Sequence, residues 1–135
     1  MLGTIALATS LIAVAVPMRT IDKGTQSLVD DGRNVTVRTA DEWTGLWRQH
    51  KADRPAPPVD FSREMVVGVF LGSRPTSGYQ VEIVGVREEG ESLVVEYRVT
   101  SPGRDAVTAQ VITMPYHLVA VPRLSGEVKF KRIDD

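Results

Sequence analysis

The alternation of apolar and polar residues predicts one short helix among several short strands. Asn34-Val35-Thr36-Val37-Arg38-Thr39 alternates and predicts a strand. Thr39-Ala40-Asp41-Glu42 then has the form of a capping box, in which the Thr39 hydroxyl accepts from the third amide and Glu42 reaches back. Trp43, Leu46, Trp47 and His50 follow at helical spacing and share one face. Gly45 weakens this helix, so it depends on packing the two Trp rings against a sheet. Arg54-Pro55-Ala56-Pro57-Pro58 ends it and makes a stiff extended connector.

Beyond Val59 the chain reads as strands. Met65 to Leu71 is a nearly continuous apolar run, as in a central strand buried on both faces. Tyr79 to Val86 alternates, with Tyr79, Val81 and Ile83 opposite Gln80 and Glu82. Glu89-Gly90-Glu91 predicts a turn, and Leu93, Val95, Tyr97 and Val99 form the inward set of the next strand. Pro102-Gly103-Arg104-Asp105 predicts another turn. Val107 to Met114 and His117 to Val121 read as strands flanking Pro115, which needs an edge, a bulge or a strand start. Val128 and Phe130 mark a last short strand. This spacing predicts a mainly β (α+β) fold: an antiparallel β-sandwich or curled sheet of about six to seven strands with one short helix.

The chain has 135 residues and no cysteine, which excludes disulfides and thiolate metal sites. Its formal net charge is −1 with mixed signs, so nucleic acid is not an expected partner. Residues 1–17 carry no charge, the first being Arg19, and the apolar run is shorter than the roughly 20 residues that span a bilayer. We read 1–17 as a signal peptide with Ala13-Val14-Ala15 as its small-residue site, giving an exported protein, periplasmic or extracellular, with no stable membrane span. The alternative is a buried first strand or helix. Residues 18–32 read as a polar N-terminal segment with Gly24, Asp30, Asp31 and Gly32 as turn formers, and 33–135 as one β-rich domain.

Candidate chemistry is sparse. His50 and His117 are the two histidines, too few for an expected metal site, and no cofactor motif is present. No Gly-x-Ser-x-Gly elbow occurs, and the paired acids fall in turns or at the tail. We therefore expect no enzyme, no metal and no cofactor. The most informative segment is Gly72-Ser73-Arg74-Pro75-Thr76-Ser77-Gly78-Tyr79, between two apolar strands. It is either a plain hairpin loop or a rigid binding loop, in which Pro75 fixes its own φ and Gly78 takes a positive one. Tyr116 and His117 are secondary candidates.

The loop 72–79, together with Trp43, Leu46-Trp47, Val59-Asp60-Phe61, Met65 to Leu71 and Met114-Pro115-Tyr116-His117, resembles the PrcB C-terminal domain family over roughly residues 33 to 131. That family is named for a subunit of a protease complex. The resemblance implies an accessory role, stabilising or assembling such a complex in the bacterial envelope through a protein partner, and implies no catalytic residues. Pro75-Thr76-Ser77-Gly78-Tyr79 is also similar to a loop of chagasin-type cysteine-protease inhibitors, although this chain has Pro115-Tyr116-His117 and Pro122-Arg123-Leu124 where those carry an Arg-Pro-Trp loop. A third reading is a small-molecule or glycan module that uses Trp and Tyr as stacking platforms. Exposure of the aromatic rings separates it from the loop reading.

Overall fold

The structure is a computed structural model that describes residues 13–134. These residues form eight strands and one helix: β1 (Ala13–Ala15), β2 (Arg19–Gly24), β3 (Arg33–Val37), α1 (Ala40–His50), β4 (Glu64–Phe70), β5 (Gln80–Glu89), β6 (Ser92–Thr100), β7 (Tyr116–Pro122) and β8 (Val128–Arg132). They pack as two four-stranded sheets, ordered β1-β5-β6-β8 and β2-β7-β4-β3. Every pairing is antiparallel except β6 with β8, which is parallel.

The apolar pattern of β4 explains the layering. Met65, Val67 and Val69 point between the sheets and meet Val81, Ile83, Val86, Leu93 and Val95. Val66 and Phe70 point the other way, under the helix, where Trp43, Leu46, Trp47, Leu118 and Tyr116 close a second core. A strand covered on both faces must be apolar at every position, which is why the run is continuous. Gly68 completes the fit, since a Cβ there would stand 2.3 Å from Leu118 Cδ2.

The helix is capped as its sequence predicts, with one change. Thr39 Oγ1 accepts from the Glu42 amide at 3.2 Å, but the Glu42 carboxylate accepts from the Thr39 hydroxyl instead of its amide. Trp43 Nε1 donates to Pro57 O at 3.0 Å and Trp47 Nε1 to Arg54 O at 2.9 Å. The proline-rich connector thus satisfies both indole N–H groups and wraps the helix.

Three expectations differ from the structure. Residues 19–24 of the expected polar segment form β2, which pairs with β7, and Val29 is core. Residues 107–114 form no strand apart from isolated bridges at Thr113 and Met114; Val107, Val111 and Ile112 point outward. The segment 72–79 is not a hairpin, because β4 and β5 belong to different sheets; it crosses from one sheet to the other. Of the expected signal peptide, residues 1–12 lie outside the described residues, while Ala13–Ala15 pair with Arg87–Glu89 and Val16 N–H donates to Val86 O at 2.9 Å. Among the described residues no helix is long and apolar enough to cross a membrane.

Candidate partner-binding loops

The crossing 72–79 is held by the long loop 101–115. Arg74 and Thr113 exchange backbone bonds of 2.7 and 2.9 Å, and Ser77 N–H donates to Ala109 O at 3.1 Å. Side chains extend the ladder: Ala109 N–H donates to Ser77 Oγ at 2.8 Å and Thr113 Oγ1 to Thr76 O at 2.9 Å. At the N-terminal end Ser73 N–H donates to Asp30 O at 3.0 Å. The backbone of the loop is fixed from both sides.

Two glycines make this closeness possible. Gly72 has φ +81°, and a Cβ there would lie 2.7 Å from Gly32 N. Gly78 has φ +98°, and its Cβ would lie 2.9 Å from Pro102 Cβ. Both positions are closed to other residues by backbone conformation and by space.

Arg74 and Thr76 are half-buried, and both turn partly inward. Arg74 Nη1 donates to Ser73 O at 3.1 Å, and its guanidinium lies 5.8 Å above the centre of the Tyr79 ring. Thr76 Oγ1 donates to Ser77 O at 3.0 Å. Ser73, Pro75 and Gly78 are the exposed members of the loop. The facing loop contributes what sequence reasoning missed: Val107 is fully exposed at 101%, Ile112 at 66% and Val111 at 50%. Their Val-x-Ala-x-Val alternation mimics a strand, so no sequence signal marks them as surface.

Tyr116 and His117 do not join this surface, because β7 is interior to its sheet and both are buried. His117 Nδ1 accepts from Ile83 N–H at 2.8 Å, across the two sheets, at the bulge between Ile83 and Gly85 in β5. An amide can only donate, so the neutral ring carries its proton on Nε2 and donates to Thr20 Oγ1 at 2.9 Å. Burial, and after it the charge of Lys23, pushes this histidine down to about 4.

A second buried network joins α1 to β2 and β7. Ser27 Oγ bonds His50 Nδ1 at 2.7 Å, and His50 Nε2 bonds Asp22 Oδ2 at 2.9 Å. Lys51 Nζ lies 3.0 Å from Asp22 Oδ2 and donates to Tyr116 OH at 2.8 Å. Burial alone would raise Asp22, but bonds from His50, Lys51 and Tyr116 outweigh it and hold the carboxyl below its usual range. Burial lowers His50 in spite of Asp22. The residue types are those of a hydrolase triad. However, Ser27 and His50 are both buried, and Ser27 Oγ already accepts from Val29 N–H at 3.0 Å. No acyl substrate reaches that hydroxyl, so the network anchors β2 to the helix. Among the described residues no three His, Asp or Glu side chains converge as for a metal ion.

No curated protein and no solved structure matches this chain. The family match excludes the helix and its Trp pair but includes both loops. Residues 65–122, running from β4 through the paired loops to the end of β7, match the family model described as PrcB C-terminal.

Proposed function

We propose that this chain is an exported, non-catalytic accessory domain that docks on a subunit of a protease complex through the paired loops 72–79 and 101–114. The family match fits an accessory domain of such a complex. The observation that carries the surface is the exposure of Val107, Val111 and Ile112 on a loop whose backbone is braced against residues 74–77. Three large apolar side chains exposed within one loop suit an interaction site, and a braced loop has little ordering cost left on binding. Burial of Trp43 and Trp47 takes the largest rings away from any glycan platform and favours the loops.

The test is affinity purification of the tagged full chain from its own host, beside the variant Val107→Asp with Ile112→Asp. The wild type is expected in the periplasmic or secreted fraction with a protease-complex subunit, identified by mass spectrometry. The variant should lose at least tenfold of that subunit, about 1.4 kcal/mol, with melting unchanged. Equal recovery of the subunit by both chains would place the docking surface elsewhere.

A further inference from the structure

The strand β3 lies at the open edge of its sheet. Natural sheets protect their edges with bulges, lysines, prolines or very short strands. Here β2 is bulged between Thr20 and Asp22, β8 carries Lys129, Lys131 and Arg132, and β1 has three residues. The strand β3, Arg33-Asn34-Val35-Thr36-Val37, runs in unbroken register with β4 and has none of these devices after its first residue.

The direction of its free hydrogen bonds follows from the neighbouring ladder. Arg123 N–H donates to Arg63 O, and Leu71 N–H to Pro115 O, in the register of β4 with β7. The odd-numbered residues of β4 therefore bond to β7. The even ones, Val66, Gly68 and Phe70, bond to their β3 partners Val37, Val35 and Arg33. Asn34 and Thr36 are left with N–H and C=O turned to the open edge.

Two such edges related by a two-fold axis fit in one register. Asn34 of one copy faces Thr36 of the other, and Val35 faces Val35 on the axis. The side chains fit the same symmetry. A shallow groove of about 480 Å³ runs between β3 and one stripe of α1, lined among others by Arg33, Val35, Glu42, Gly45 and Gln49. The helix returns along β3 after a two-residue link, Arg38-Thr39, so Glu42 stands at the Val37 end and Arg33 at the other. A two-fold axis through Val35 brings Arg33 of each copy to Glu42 of its mate, cation to anion, and Glu42 alongside Gln49. Gly45 lies near this axis, and a Cβ there would meet nothing within 4 Å. A mid-helix glycine costs about 1 kcal/mol relative to alanine, and no contact inside the monomer requires it. It leaves room for the second helix.

We propose that the chain forms a two-fold homodimer through β3, giving one continuous eight-stranded sheet with the two α1 helices side by side. Such isologous pairing uses one self-complementary patch twice. It leaves the loops 72–79 and 101–114 free and does not depend on their role.

The absence of cysteine makes the test clean. Opposed Val35 Cα atoms would form a non-hydrogen-bonded pair about 4.5 Å apart, within disulfide range. Under oxidised glutathione, the full chain with Val35→Cys should become covalent dimer, while Lys129→Cys, exposed on β8, should stay monomeric. Sedimentation equilibrium should show a wild-type dimer that Gly45→Lys weakens at least tenfold with unchanged circular dichroism. Because Gly45 faces open space, that variant keeps the test valid even if Val35→Cys fails to fold. A chain that is monomeric at every concentration, a Val35→Cys yield no greater than that of Lys129→Cys, or a dimer indifferent to Gly45→Lys would each overturn the proposal.

Discussion

Acid should loosen this protein through His117. The perturbation is a fall in pH from 7.5 to 5. In the unfolded chain the ring titrates at its ordinary value of 6.5, whereas the folded chain holds it at about 4. Between those values the unfolded chain binds more protons. The contribution to stability is therefore complete above pH 6.5 and is lost as the pH falls towards 4. The whole shift is worth about 3 kcal/mol, of which about 2 kcal/mol is gone by pH 5. The structural reason is specific: a proton on Nδ1 would face the Ile83 amide, which is itself a donor. For a chain of this size the loss lowers the melting temperature by roughly 8 °C. The assay is chemical denaturation across that range, comparing wild type with His117→Asn. An Asn carbonyl still accepts from Ile83 N–H but does not titrate. His50 is also lowered by burial and steepens the slope in both chains, so the difference between them isolates His117. Equal pH slopes in the two proteins would refute the reasoning.

Other substitutions test the rest of the architecture. Trp47→Ala should cost about 3–5 kcal/mol by urea unfolding, because the ring is buried between helix, connector and sheet. Gly78→Val should cost about 1–3 kcal/mol, since it forces a β-branched residue to positive φ against Pro102; thermal unfolding reads it directly. Arg74→Ala with Thr76→Ala removes bonds at the surface and should cost below about 1 kcal/mol, while lowering capture of the protease-complex subunit at least tenfold in a pull-down.

What the sequence discloses here is what local chemistry decides. The capping box at Thr39, the Trp43–Trp47 spacing and the apolar run of β4 each specify their own structure, because the residues that interact are neighbours or share one face. What it hides depends on distant partners. The strand β2 reads as a polar segment since Thr20 and Asp22 are satisfied by His117 and His50, nearly a hundred and about thirty residues away, respectively. The change of sheet after Gly72 is invisible for a similar reason: turn residues fix local dihedrals and do not say which edge the next strand will join. The stretch 107–112 misleads most. Its alternating Val, Ala and Val fit a half-buried strand, yet it pairs with no strand among the described residues, and the apolar side chains face solvent. The glycines and Pro75 single out the first loop but leave it open between a plain hairpin and a rigid binding loop; the second loop, which carries the exposed valines and isoleucine, left no mark of its own.

The central claim is that these two loops form the docking surface, and site-specific photocrosslinking tests it most directly. A benzophenone amino acid placed at Ile112 of the full chain in its own host should crosslink, on irradiation, to one protease-complex subunit identified by mass spectrometry. The same group at Lys129, exposed on β8, should give no adduct with that subunit. A subunit adduct from Lys129 with none from Ile112 would contradict the account.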